Sequence, residues 1–298
     1  MSYILDDLQE MGIDEIVFVI GYLGDVVKEY MASAYPDIRP QYVVQEVQDG
    51  TAGAIKLAEP FVDDEMLILF VDTLFDADLS IAKDLAPEWS GVIWAKEVDD
   101  YQRFGVIVTD NDGAMTRIVE KPEYPVSKLA NIGLYYIRDR DLLFKGIDTA
   151  LSNPPGPSGE FFLTDAFQYM VDQGSKILTA PVDGWYDCGK PDTLLGTNEH
   201  LLRTTRGWVS PTALVDSSVM GNVVRVEDGV RLEGSTLGPN VTIEAGARIM
   251  DSSIRNCIIG PGTVIESSVL HDSIIGGHST VRGFNGKLSV SDHSMVRG

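Results

Sequence analysis

Two carboxylates stand where chemistry on a phosphate could be done. Asp72 closes the longest apolar run of the chain, Met66 to Val71, and Asp187 follows Trp185-Tyr186 at a second strand end. Open α/β sheets gather ligands beyond the carboxyl ends of their strands, and hard oxygens at two such ends can hold one Mg²⁺ against phosphate oxygens. Taken singly, each acid is more often a helix cap or a turn residue. Glu120-Lys121-Pro122 follows the short strand Arg117 to Val119. Pro122 biases the residue before it toward extended backbone, so Lys121 is expected to be held at the strand exit. There its ammonium could pair with a sugar phosphate while Glu120 accepts hydrogen bonds from hydroxyls. An isolated triplet of this kind reads better as an exposed loop ion pair.

Glycines mark the other candidate positions. The stretch Gln45 to Ala52 puts Gly50 and Thr51 between a strand and a helix, where a bare backbone can approach a flat base edge beside a helix N-terminus. Gly105, and Asn131-Ile132-Gly133 at a strand start, either admit a ligand close to the backbone or serve tight strand packing. Glu160 to Asp165 reads as mainly structural, with Thr164 as a helix cap. Of the four histidines, His271, His278 and His293 fall late in the chain. A reactive histidine on a coil of short strands suggests acyl transfer, but no second catalytic partner stands out.

The elements that must position these residues alternate. Ile4, Leu5, Leu8 and Met11 share one helical face before Gly12, Ile16 to Ile20 is a short strand, and Leu23 to Tyr30 carries a second amphipathic stripe. Gln41 to Gln45 continues as strand, Ala52 to Ala58 as helix, and Met66 to Val71 as a strand buried on both faces. Such alternation implies a parallel sheet with right-handed crossovers. Further strands follow at Gly91 to Ala95, Phe104 to Val108, Ala130 to Ile137 and Lys176 to Val182. Helices are expected at 139–150, 163–173 and 192–203, with a proline-rich loop at 153–158.

After Trp208 the composition turns to Ser, Gly, Val and Ile. Glu227-Asp228-Gly229-Val230-Arg231-Leu232 recurs 17 residues on as Glu244 to Ile249, and Gly262 to Ile265 continues the series. Leu214, Leu232, Ile249, Ile265 and Val281 are expected to mark successive turns. Steps of this length fit three sides of about six residues each, with small residues at the corners, and about five coils of β-helix. A β-sandwich does not require the same residue types to return at a fixed period.

The bulk properties bound the partners. With 298 residues and 44% apolar composition the chain can bury a substantial core in two domains, 1–207 and 208–298. A formal charge of −22 argues against nucleic acid as a partner. No apolar run approaches the roughly 20 residues of a membrane span, and Cys188 and Cys257 form neither a disulfide framework nor a metal-spaced cluster, which suits the cytoplasm.

Taken in order, Ile13 to Ile16, Gln45 to Ala52, Val71-Asp72-Thr73-Leu74-Phe75, Val119 to Pro122, Asn131 to Tyr135, Gly159 to Asp165 and Trp185 to Pro191 resemble the sugar-phosphate nucleotidyltransferases, among them the long form of glucose-1-phosphate thymidylyltransferase. The resemblance implies a Rossmann-like domain with a mostly parallel mixed sheet, followed by a left-handed parallel β-helix that serves homo-oligomerisation or regulation. It implies attack by a sugar 1-phosphate, such as glucose 1-phosphate, on the α-phosphorus of a nucleoside triphosphate, dTTP or UTP, with Mg²⁺ and release of pyrophosphate. On this likeness Asp72 and Asp187 bind the metal and Lys121 the sugar phosphate. Glu120, Gly105, Asn131 and Gly133 line the sugar pocket, and Gln45, Gly50 and Thr51 the base pocket. Two departures stand out. Val71 replaces the family's glycine before the metal-binding aspartate. The family also opens with a strand and a glycine-rich phosphate loop, whereas Met1 aligns inside its first helix, so the edge of Ile16 to Ile20 is expected to be exposed and this chain to be inactive on its own. The alternatives are a non-catalytic regulatory subunit that binds sugar nucleotide, and a bifunctional enzyme with an acyltransferase in the β-helix.

Overall fold

The computed structural model describes residues 1–156 and 158–298 and divides into two compact units, Met1–Trp185 and Tyr186–Gly298. Of the proline-rich loop expected at 153–158, Pro157 lies outside the described residues.

In the first unit α1 (Ser2–Glu10) buries Ile4, Leu5 and Leu8, the one face that their spacing creates. β1 (Glu15–Ile20), α2 (Gly24–Ala34) and β2 (Arg39–Val44) form a parallel strand pair joined through a helix, in register from Glu15 opposite Arg39 to Ile20 opposite Val44. There follow α3 (Thr51–Ala58), β3 (Met66–Leu69), β4 (Thr73–Asp76), α4 (Ser80–Lys83), β5 (Gly91–Glu97), β6 (Gly105–Thr109), β7 (Met115–Glu120), β8 (Leu129–Ile137), α5 (Arg140–Ser152), α6 (Leu163–Asp172) and β9 (Ile177–Pro181).

The main sheet has the order β7-β6-β8-β5-β9, and β3 also pairs with β8. It is mixed, and less parallel than strand–helix alternation implies. β5 and β9 run parallel, but β8 is antiparallel to β3, β5 and β6, and β6 is antiparallel to β7. The cause is local. Asp110 Oδ1 accepts the N–H groups of Asp112 and Ala114, both at 2.9 Å, and closes a tight turn that returns β7 against β6. β8 lies on the other side of β6 and is also antiparallel to it, so β7 and β8 run in the same direction with β6 between them. Along β5 the side chains alternate. Ile93 and Ala95 pack with Leu143, Phe144, Ile147, Phe167 and Met170 of α5 and α6, whereas Val92 and Trp94 pack with Ala82, Leu85, Ile132 and Leu134.

β3 is shorter than expected. Thr73 N–H donates to Phe70 O at 3.3 Å and turns the chain, leaving Val71 59% exposed and Asp72 exposed beside it. The apolar run Met66 to Val71 therefore includes residues beyond the strand proper.

β10 (Gly184–Asp187) spans the division between the units. The compact division at 185 falls ahead of the expected boundary at 207, because α7 (Pro191–Thr205) packs on the coil that follows it. Thr242 Oγ1 donates to Asn198 Oδ1 at 2.6 Å, and Lys287 Nζ pairs with Asp192 at 2.7 Å. The coil is a parallel β-helix with three ladders of short strands. One ladder stacks Val215, Leu232, Ile249, Ile265, Val281 and Val296 in register. The residue beneath Leu232 is thus Val215 and not Leu214, which aligns with Arg231 and is 59% exposed. Ser217, Gly234, Asp251 and Ser267 take positive φ at one corner, and the next residue in each coil, Ser218, Ser235, Ser252 and Ser268, forms a ladder. Each hydroxyl oxygen accepts the N–H one coil on, at 3.0, 3.1, 3.1 and 3.2 Å, ending at Phe284. Cys257 sits in the buried core of this coil, and burial pushes its thiol up to about 11, away from thiolate chemistry.

Candidate functional site

Adjacent ends of β6, β7 and β8 bring three of the expected residues together. Gly105 lies opposite Glu120, and Val106 opposite Ala130, next to Asn131. Asn131 Nδ2 donates to Gly105 O at 2.8 Å, and the buried Tyr135 hydroxyl donates to Asn131 Oδ1, which fixes the amide's orientation. Burial first, and the charge of Glu120 second, push the Tyr135 hydroxyl's pKa up, so it remains a donor. A Cβ on Gly105 would sit 2.8 Å from both Glu120 Oε2 and Thr164 Cγ2, so only glycine lets these side chains close onto the strand.

Burial raises the carboxyl pKa of Glu120, with Asp165 and Glu160 adding to the rise. A hydrogen bond from Thr164 and the charge of Lys121 act in the other direction. Thr164 Oγ1 lies 3.2 Å from Glu120 Oε2. Its expected capping role is not observed: it lies inside α6, whose cap residue is Phe162. Lys121 also departs from expectation. It does not take the extended backbone favoured before proline but has φ +42°, with its N–H donating to Phe104 O at 3.0 Å. A non-glycine residue held in the left-handed region costs about 1–3 kcal/mol, and such residues cluster at functional sites. Its ammonium lies 3.9 Å from Glu160 Oε2 and 5.0 Å from the Phe162 ring centroid.

The segment 160–164 also joins this pocket to the Gly50 turn. Phe161 N–H donates to Asp49 O at 2.7 Å, Ala52 N–H donates to Phe161 O at 3.0 Å, and Leu163 N–H donates to Thr51 Oγ1 at 2.9 Å. Gly50 has φ +113° and ψ −177°, a conformation nearly restricted to glycine. Gln45 braces the turn, its amide donating to Asp49 Oδ1 at 3.0 Å and Gly50 O at 3.1 Å. The role of 160–164 as a bridge is what sequence reasoning missed. Its signal was the threonine in the first helical turn beside an acid, in the same stretch that carries the family likeness.

Gly133, Asp72 and Asp187 have local surroundings of their own. Gly133, at φ +79°, is filled by packing, since a Cβ there would lie 2.8 Å from Phe70 Cδ2. Asp72 is exposed in the turn after β3. Asp187 belongs to the second unit, where its Oδ1 accepts Gly189 N–H at 2.7 Å. Among the described residues no three His, Cys, Asp or Glu side chains gather as a metal-ligand set. Two carboxylates nonetheless have the hard-oxygen chemistry that Mg²⁺ prefers, with waters and substrate oxygens completing its shell.

The family likeness places the chain in a nucleotidyl-transferring enzyme class. The chain belongs to the nucleotidyl transferase family, which it matches over residues 1–204. It is 27% identical to the low-salt glycan biosynthesis nucleotidyltransferase Agl11 of Haloferax volcanii, over 93% of this chain and 83% of that protein. It is 26% identical to the UTP–glucose-1-phosphate uridylyltransferase AglF of the same organism, over 64% of this chain and 79% of that protein. The match to the bifunctional protein GlmU of Methanocaldococcus jannaschii, at 28% identity, covers 83% of this chain but only 53% of that protein. Among solved structures, a putative glucose-1-phosphate thymidylyltransferase from Bacillus anthracis in complex with sucrose superposes with a TM-score of 0.55 at 26% identity, covering 65% of this chain and 78% of that one. No helix among the described residues is long and apolar enough to cross a membrane.

Proposed function

We propose that the first unit binds a sugar nucleotide and its precursors, and that the reaction it serves is nucleotidyl transfer from dTTP or UTP to glucose 1-phosphate. The observation that carries this reading is the bridge at 160–164, which ties the Gly50 turn to the Gly105–Glu120–Asn131 pocket and sets Lys121 at its edge. A base edge fits against the bare backbone at Gly50, sugar hydroxyls meet Glu120 and Asn131, and the strained Lys121 supplies the cation for the sugar phosphate. Asp72 and Asp187 are the carboxylates assigned to Mg²⁺, which when bound neutralises charge on the phosphates. The protein's own contribution is positioning: in-line attack needs the sugar phosphate held rigidly against the α-phosphorus.

The test is calorimetric titration of the chain with UDP-glucose and dTDP-glucose, with and without Mg²⁺. Saturable binding that Glu120→Ala weakens is expected, and binding equal in wild type and variant would overturn the pocket assignment. Pyrophosphate release from dTTP or UTP with glucose 1-phosphate then separates an enzyme from a subunit that only binds sugar nucleotide.

A further inference from the structure

Asp187, one of the two carboxylates assigned to Mg²⁺, ends a strand that turns straight into a helix. Its Oδ1 accepts Gly189 N–H at 2.7 Å and closes the turn, and Pro191 in the first turn of α7 starts the helix where an N–H has no partner to lose. Within α7, Thr193, Thr197 and His200 recur at helical spacing and share one face. That face comes back onto the residues just before the helix. The hydroxyl of the buried Thr197 lies 3.0 Å from Thr193 O and 3.3 Å from Asp187 O, so it holds the carbonyl of Asp187 as well as the helix's own turn. One turn on, the His200 imidazole stacks on the Tyr186 ring, with centroids 3.9 Å apart and planes 23° from parallel.

A second side of α7 is anchored on the coil. Leu195 and Leu202 are buried, and Asn198 Oδ1 accepts Thr242 Oγ1 at 2.6 Å. The Asp192–Lys287 pair is exposed and adds little, so the anchor is the buried leucines and the Asn198–Thr242 bond. A helix held on both sides cannot shift without releasing one of them. The Asp187 carbonyl and the Tyr186 ring are therefore braced by side chains whose place the coil sets, and all of these groups belong to the second unit. Groups that orient a metal-binding side chain matter nearly as much as the side chain itself.

We propose that Thr197 and His200 are positioning residues for Asp187. Held against the coil through α7, they fix the strand end that carries this carboxylate and give the coil a part in metal binding. The inference rests on the assignment of Asp187 to Mg²⁺ and goes beyond it by naming what aims the carboxylate.

The test uses the full chain and Mn²⁺, which shares the preference of Mg²⁺ for carboxylates and whose free ion is counted by its paramagnetic resonance. Thr197→Val keeps the branched shape and removes the donor, and His200→Ala removes the ring. Each is expected to weaken Mn²⁺ binding about 10- to 100-fold while metal-free binding of UDP-glucose stays within about twofold of wild type. Thr197→Ser and His200→Phe, which restore the hydroxyl and the stacking ring, should recover most of the loss. In the metal-free protein, Gly189 N–H should exchange about tenfold faster in Thr197→Val and His200→Ala, because Asp187 Oδ1 no longer stays against it. Thr242→Val, which loosens α7 from the coil, should shift Mn²⁺ binding in the same direction, and wild-type binding there would overturn the coil's part. If Asp187→Ala binds Mn²⁺ as wild type does, or wild type binds none, the metal assignment falls and takes the inference with it. If Asp187→Ala loses Mn²⁺ while Thr197→Val and His200→Ala keep it, the inference alone is overturned. Unchanged Gly189 exchange, no recovery in Thr197→Ser and His200→Phe, or a parallel loss of metal-free UDP-glucose binding would overturn it as well.

Discussion

Replacing Gly50 with alanine attacks the joint on which the proposed pocket depends. The backbone there, at φ +113° and ψ −177°, lies in a region that costs a side-chain-bearing residue about 1–3 kcal/mol. The new Cβ would also contact Phe161 O and lie 2.7 Å from Phe161 N, so the bridging segment must move. Moving it endangers the bonds from Ala52 N–H to Phe161 O and from Phe161 N–H to Asp49 O, each worth about 0.5–1.5 kcal/mol. The two contributions together give about 2–6 kcal/mol, or a fall in melting temperature of about 5–20 °C for a unit of this size. Urea unfolding followed by tryptophan fluorescence measures it, with calorimetric titration of UDP-glucose run on the same samples. The control is Gly196→Ala in α7, where an added Cβ meets nothing within 4 Å and alanine should stabilise by up to about 1 kcal/mol. If Gly50→Ala unfolds within about 0.5 kcal/mol of wild type, the turn is not under the constraint described.

Three further outcomes are expected. Lys121→Met should weaken glucose 1-phosphate binding about 10- to 150-fold, the loss of one charge-assisted contact, while barely shifting the urea midpoint, because the Lys121–Glu160 pair is exposed. Glu120 is held with a raised pKa, so its contribution to stability is full below the ordinary carboxylate range and is lost as pH rises through the folded value. Glu120→Gln should therefore gain stability relative to wild type between pH 4 and pH 7, and a difference in urea midpoint that does not change with pH would count against the burial argument. Ser252→Ala removes the acceptor for Ser268 N–H within the buried ladder and should cost about 1–3 kcal/mol, whereas Ser217→Ala at the exposed corner should cost little, as thermal unfolding of the coil would show.

Much of the architecture was legible because burial imposes period. The run Ile16 to Ile20, the stripe in α1 and the return of Leu232 as Ile249 and Ile265 are each readable from residue type alone. Strand direction was not, because it depends on what connects the strands. The Asp110 turn sets β7 against β6, and β8 runs against β6, β5 and β3, and apolarity carries no sign of either. The site was legible in part for the same reason. Glycines at Gly50 and Gly105 announce tight backbone, but Thr164 looks like any helix-start threonine until the fold places Glu120 beside it. Lys121 shows the opposite case, in which tertiary contacts override the local preference that proline imposes on its neighbour.

The serine ladder also sets a rule for how the coil can change length. Every rung accepts from a rung one coil away, so a single inserted or deleted residue on that side would set each later hydroxyl against the wrong amide. The rungs are 17, 17, 16 and 16 residues apart, so a change of one residue elsewhere in a turn leaves the match intact. The second unit can thus change length by whole turns, or by single residues placed away from the serine side.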